Sequence, residues 1–183
     1  MRVSIEDITQ ENLEDIPEPC KACLYWESPA VKGKQQSTTE RILHTAEKAT
    51  WFLKTLKEFG NCGKILYVDN EPVGYTQYSC ASRLPNTQGY GAKKLGTAQE
   101  KVAFISCLYI SSNDFRGKGL GRRLLDKVIL DLKERGFNAV ETFARESSPN
   151  NPSGPTQLYL KRGFYVKERL KESPDFALVR LDL

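Results

Sequence analysis

At 183 residues and 20.7 kDa the chain is long enough for one well-filled core and short for two. A composition of 39% hydrophobic and 27% charged residues, with a mean hydropathy of -0.50, is that of a soluble globular protein. No apolar run approaches the roughly twenty residues a membrane span needs. The 27 Lys+Arg against 23 Asp+Glu leave a net charge of +4. The basic residues are dispersed, which argues against a nucleic-acid-binding arm and suits an anionic ligand.

The N-terminus, MRVSIEDITQENLEDI, is acidic and lacks a basic-then-apolar signal, so a cytoplasmic protein is expected. Five cysteines, Cys20, Cys23, Cys62, Cys80 and Cys107, make an odd set in a reducing compartment, against a disulfide framework. Monomer and homodimer both fit.

In chain order, residues 2–6 read as a first strand. Residues 10–30 are interrupted by Pro17, Pro19 and Pro29 and leave room for a short helix carrying Cys23, Tyr25 and Trp26. From Thr38 to Phe59 the spacing predicts a helix, with Ile42, Ala46, Ala49, Phe52, Leu53 and Leu56 on one side and Gly60-Asn61 as the stop. Residues 64–69 and 72–80 form a predicted antiparallel hairpin about the turn Asp69-Asn70-Glu71-Pro72. Residues 83–99 show no period, as in a long functional or mobile connection.

Residues 101–110, KVAFISCLYI, are apolar on both faces, the pattern of a central strand covered on both sides. Beyond Gly117 the period becomes helical through Leu120, Leu124, Leu125, Val128, Ile129 and Leu132, ending at Gly136. A strand at 138–143, a Ser/Pro/Asn/Gly loop at 147–156, a brief helix at 156–162 and strands at 164–170 and 176–182 complete the chain. The expected fold is one mixed α/β domain over residues 1–183, a central sheet of about seven strands flanked by helices.

The strand–loop–helix at 102–121 carries the chemistry. A helix N-terminus presents unpaired N–H groups and a partial positive charge that attract phosphate. Gly117, Gly119 and Gly121 remove the side chains that would keep a pyrophosphate from the backbone, and Arg116 and Lys118 add cationic donors. The loop is not a Walker loop, which needs G-x-x-x-x-G-K-[ST]. Nor is it a Rossmann fingerprint, which needs G-x-G-x-x-G, because these glycines are each two apart.

Arg116-Gly117-Lys118-Gly119-Leu120-Gly121 resembles the R/Q-x-x-G-x-G/A signature of the GNAT superfamily of N-acetyltransferases. Leu158-Tyr159-Leu160-Lys161-Arg162-Gly163-Phe164 resembles that superfamily's second element, a short helix ending in Tyr-x-x-x-Gly-Phe. The resemblance covers residues 60–183 well and the first sixty only as a strand followed by helices. It implies acetyl-CoA as co-substrate, with no metal, and a small-molecule or protein amine as acceptor. It implies that backbone groups of Leu108, Tyr109 and Ile110 pair with the pantetheine arm, and that residues 116–121 hold the pyrophosphate. The strands at 101–110 and 138–143 are then expected to splay, leaving a wedge for the thioester. Tyr159 falls where many members carry a tyrosine that protonates the departing thiolate. An asparagine that often reaches the cofactor has Asn150 and Asn151 as its counterparts, in a loop rebuilt around Pro152 and Pro155.

The general base is not legible, Glu100, Glu141, Asp69 and Glu71 being the carboxylates near the strands. Tyr75 and Tyr78, an odd distance apart, point to opposite faces, so at most one lines an acceptor pocket. Cys107 sits beside the thioester position as a candidate nucleophile, but the one histidine, His44, is remote, and a buried apolar cysteine is the plainer reading. Cys20-Lys21-Ala22-Cys23 has zinc or redox spacing but lacks two further ligands nearby. Two other readings stand beside the enzyme: an acyl-CoA-binding sensor without turnover, and a metal- or redox-responsive protein centred on Cys20 and Cys23.

Overall fold

A computed structural model of the protein describes residues 1–29, 37–96, 99–146 and 153–183. Among the described residues, seven strands form one mixed sheet: β1 (Val3–Asp7), β2 (Gly63–Val68), β3 (Glu71–Ser79), β4 (Val102–Ile110), β5 (Ala139–Arg145), β6 (Tyr165–Arg169) and β7 (Phe176–Asp182). Their spatial order is β1-β2-β3-β4-β5-β7-β6, with β4 and β5 the parallel pair at the centre and antiparallel neighbours outside. Helix α2 (Leu120–Glu134) supplies the crossover between the parallel β4 and β5, and a second crossover carries the chain from β5 to β6, past the place that β7 later fills.

The helices lie on opposite faces. One core layer joins Leu120, Leu124, Leu125, Val128 and Leu132 of α2 and Tyr159 of α3 (Thr156–Leu160) to the sheet. The other joins Phe52 of α1 (Thr38–Phe59) to Trp26, Tyr75, Phe104 and Phe143. Ser37 starts α1 with a capping box, its Oγ accepting from the Glu40 N–H at 3.2 Å while the Glu40 carboxylate accepts from the Ser37 N–H at 2.7 Å. Among the described residues, no helix is long and apolar enough to cross a membrane.

Three sequence expectations change. The buried residues of α1 are Lys48, Phe52 and Thr55, while Ile42 and Leu53 are 66% and 41% exposed. The helix is turned relative to its apolar stripe because Lys48 finds polar partners beneath it. The 83–99 stretch expected to lack structure holds a 3-10 turn at Pro85–Tyr90, just after one at Ala81–Arg83, and the 10–30 segment holds others at Leu13–Asp15 and Cys20–Ala22. Tyr25 and Trp26 follow that last turn rather than riding on a helix.

Candidate active site

The site begins with an irregularity in β4. Gln77 pairs with Cys107 and Tyr78 with Ile105, so Ser106 is an extra residue on β4, a β-bulge. Before it, Ala103 and Ile105 face α2 and Phe104 faces α1; after it, Leu108 and Ile110 face α2, and Cys107 and Tyr109 face α1. The bulge also switches which backbone groups point across the sheet. The Ser111 N–H donates to the Val73 carbonyl, so the hydrogen-bonding groups of Tyr109, two residues away, belong to the ladder with β3. Those of Leu108 and Ile110 point toward β5. Of the three residues expected to offer backbone groups to a ligand, the alternation therefore leaves Leu108 and Ile110.

On that side β5 has turned away. The parallel pair is held at only three positions, Val102–Ala139, Ala103–Val140 and Phe104–Glu141. The Thr142 hydroxyl then reaches back to the Ile105 carbonyl at 2.8 Å, and beyond it the strands part. The end of β5 is tied instead to Gly154 and Pro155, through the Arg145 N–H on the Gly154 carbonyl at 3.1 Å and a bridge to Pro155.

The resulting cavity, about 530 Å³, is lined by Leu108, Tyr109, Ile110, Arg116, Gly117, Gly119, Leu120 and Gly121. Phe115, Arg122, Gly154, Pro155 and Leu158 complete its wall. The structure thus gathers all but two of the residues expected at the cofactor site. Lys118 is exposed outside the lining, and Asn151, like Asn150, lies outside the described residues. Phe115 and Leu158 were missed because nothing distinguishes them from ordinary core residues in the sequence.

The turn ahead of α2 is built to leave amides free. Gly117 and Gly119 have φ of 72° and 77°, the left-handed region that glycine adopts without a Cβ clash. Among the described residues, the N–H groups of 117–122 have no protein acceptor, and the first helical bond to close the turn is Arg123 N–H to Gly119 C=O. The Arg116 side chain folds back, donating from Nε to the Ile110 carbonyl at 3.1 Å and from Nη1 to Asn113 Oδ1 at 3.2 Å. It therefore fixes the loop to the end of β4 as well as adding charge.

Tyr159 is fully buried behind this cavity. Its hydroxyl donates to the Ser153 carbonyl at 2.6 Å, and a Cβ on Gly154, a cavity-wall residue, would lie 3.2 Å from the ring and hydroxyl. Burial pushes the phenol well above its ordinary range, only partly offset by the nearby Thr142 hydroxyl.

The face toward α1 is different in kind. Trp26 and Tyr90 stack at 5.5 Å between ring centres, and Tyr90 stacks on Phe143 at 4.4 Å. Beside them lies a buried polar group. Lys48 Nζ donates to the Cys23 carbonyl, Glu27 Oε1 and Gln77 Oε1 at 2.9, 2.6 and 2.7 Å. Tyr75 also donates to Gln77 Oε1. Burial alone lowers the Lys48 ammonium's proton affinity, but Glu27 together with Cys107 and Cys23 offsets it and holds the group above its ordinary range. Glu27 and Lys48 carried no signal in the sequence, since Lys48 interrupts a helical stripe and Glu27 lies in an irregular segment.

The other candidates resolve on position. Glu141 is fully buried and occupied by Lys167, Arg180 and the Gly96 N–H, a structural knot at the closed end of the β4–β5 pair. Glu100 joins the same knot through Arg180, and Asp69 Oδ1 accepts from the Arg2 N–H. Glu71 opens β3 as an exposed residue at the hairpin turn. Tyr75 and Tyr78 do face opposite layers, and both are buried; Tyr78 donates to Asp131. Cys107 lies on the α1 face, its thiol raised by burial, which disfavours the nucleophilic thiolate. The Cys20 thiol is likewise pushed up to about 12 by burial and then by Cys23. Among the described residues, no three His, Cys, Asp or Glu side chains converge as a metal site.

Comparison with known proteins agrees with this geometry. YncA from Salmonella typhimurium, solved with its cofactor acetyl-CoA, superposes with a TM-score of 0.66 at 15% identity, covering 100% of this chain and 95% of that one. The PaiA N-acetyltransferase from Thermoplasma acidophilum, in complex with coenzyme A, gives 0.61 at 14% identity over 100% of both chains. These likenesses establish the fold. A Methanocaldococcus jannaschii protein described as an uncharacterized N-acetyltransferase is 26% identical over 170 residues, 92% of this chain. The chain spans 63% of the length of that relative. The model of the Acetyltransferase (GNAT) family matches residues 21–164, well over half of the sequence, and the chain belongs to that family.

Proposed function

We propose that the protein transfers the acetyl group of acetyl-CoA to a primary amine by direct attack within a ternary complex. The observation that carries this reading is the run of unpaired N–H groups at 117–122, whose residues, Lys118 excepted, line one cavity with the free edge of β4. Gly121 supports the fit. It is helical, and a Cβ there would meet only Ile110 Cγ1 at 4.0 Å, so the protein itself does not require glycine at that position. A ligand drawn close to the backbone does.

On this reading the amides at the start of α2 hold the pyrophosphate, with the helix dipole and Arg116 beside them. Leu108 and Ile110 receive the pantetheine arm as an added strand, and the Leu108 N–H stabilises the oxyanion as the amine attacks. Tyr159, kept neutral by burial, supplies a proton to the departing thiolate.

Release of free coenzyme A thiol, followed over a panel of protein amines, antibiotics, polyamines and amino acids, tests the reaction. A protein that only senses acyl-CoA binds it without releasing thiol. Gly119→Asp sets a carboxylate in the anion cradle and should weaken acetyl-CoA binding; unchanged affinity by calorimetry would overturn the site. Tyr159→Phe should lower kcat by about 10²–10⁴ with acetyl-CoA affinity kept. An unaltered rate would make Tyr159 a packing residue.

A further inference from the structure

The reaction proposed above needs a group that takes the amine's proton, and the wedge residues supply none. Among the described residues, the α1 face holds one buried carboxylate with an unused oxygen. The Glu27 side chain is 5% exposed and its Oε1 accepts from Lys48 Nζ at 2.6 Å and Gln77 Nε2 at 2.5 Å, whereas its buried Oε2 has no donor among the described residues. A buried carboxylate oxygen without a donor is costly, and each such atom in a native structure calls for an explanation. Its place is specific. Gln77 pairs across the ladder with Cys107, the residue between the Ser106 bulge and Leu108, and both side chains lie on the α1 face. The cluster therefore stands over the stretch of β4 where the backbone turns toward the splay, on the face opposite α2.

We infer that Glu27 is the general base of this protein and that its Oε2 receives a hydrogen bond, then a proton, from the acceptor amine. Lys48 and Gln77 are positioning residues. All three Lys48 protons are used, on the Cys23 carbonyl, Glu27 Oε1 and Gln77 Oε1, which holds Oε1 and turns Oε2 to the acceptor. Because Lys48 already neutralises the carboxylate, the pocket opposes a second cation, and the acceptor is an alkyl amine bound neutral. The bookkeeping of the step is closed. The amine nitrogen forms the C–N bond and gives one proton to Oε2, while the C–S bond breaks and the thiolate takes a proton from Tyr159. Solvent then removes the first proton and restores the second.

This inference rests on the acetyltransferase reading, and its test separates the two. The measurement is kcat against pH at saturating n-butylamine or n-hexylamine, with acetyl-CoA affinity measured separately by calorimetry. The groups around Glu27 are Lys48 from α1, Tyr75 from β3, Cys107 from β4 and Cys20 and Cys23 from its own segment. Glu27→Gln should lower kcat by about 10²–10⁴, abolish its fall at acid pH and leave acetyl-CoA affinity unchanged, with Glu27→Asp recovering part of the rate. Since Glu27→Gln strands the buried Lys48 charge, the neutral pair Glu27→Gln/Lys48→Met is measured beside it and should show the same loss in a folded protein. Normal turnover and pH dependence in either variant overturn the assignment of Glu27. So does acetyl-CoA binding by the wild type with no thiol released to either amine. Failure of the wild type to bind acetyl-CoA overturns the acetyltransferase reading itself.

Discussion

Gly119 and Gly121 are two residues apart and are glycine for different reasons. At 119 the backbone demands it, with φ of 77° at the N-cap of α2. At 121 the conformation is ordinary and the surrounding space is open. Gly121→Ala should therefore stabilise the fold by about 0.5–1 kcal/mol through helix propensity, while weakening acetyl-CoA binding. Gly119→Ala should destabilise the fold by about 1 kcal/mol, from left-handed strain. Thermal unfolding with calorimetry on the same variants reads both effects, and a parallel fall in stability at 121 would remove the ligand argument. The cysteines divide in the same local way. Burial pushes Cys20 and Cys62 up to about 12 and raises Cys107 too, whereas Cys23 and Cys80 are part-exposed. A thiol reagent at pH 8 should label Cys23 and Cys80 in the native protein first, with peptide mapping to identify the sites.

At the scale of elements, the closed end of the β4–β5 pair depends on Arg180 of β7. It bonds Glu141 on β5, Glu100 ahead of β4 and Asp182 on its own strand. Arg180 holds the Glu100 and Asp182 carboxylates below their ordinary range, first through hydrogen bonds and then by its charge. Depressed carboxylates add stability at neutral pH that is lost as pH falls through their folded-state values, so unfolding should ease below about pH 4. Arg180→Met should cost on the order of 3 kcal/mol by stranding part of the buried Glu141 charge, and should flatten that acid dependence. Urea unfolding at pH 7 and pH 4 measures both, and equal losses at the two pH values would contradict this account.

Most elements were legible in the sequence because their periods are strong. β4 read as buried on both faces, α2 showed its leucine stripe, and the glycine loop between them announced a phosphate-sized gap. What escaped was set by contacts distant in sequence. Lys48 turns α1 away from its apolar stripe by meeting Glu27 and Gln77, 21 and 29 residues away. Likewise, no local signal marks Ser106 as a bulge, yet it decides that Cys107 faces α1.

Across the whole molecule, the two sides of the sheet use different materials. The α2 side presents mostly main chain, the amides of 117–122 and the edge groups of Leu108 and Ile110, which many side-chain sequences can supply. The α1 side presents particular side chains, Trp26, Glu27, Lys48, Gln77 and Tyr90, most of them drawn from irregular segments and a helix flank. The α2 side was accordingly readable from a short motif, and the α1 side required the fold. The three-pair contact between β4 and β5 has a further consequence, in hydrogen exchange. A central strand ordinarily holds some of the slowest amides in a protein. Here the N–H groups of Leu108 and Ile110 sit in the middle of a seven-stranded sheet without a neighbouring strand, and should exchange far faster than that of Tyr109 between them. Saturating acetyl-CoA should slow both while leaving Tyr109 unchanged, so residue-resolved exchange would register the ligand as the strand the sheet lacks.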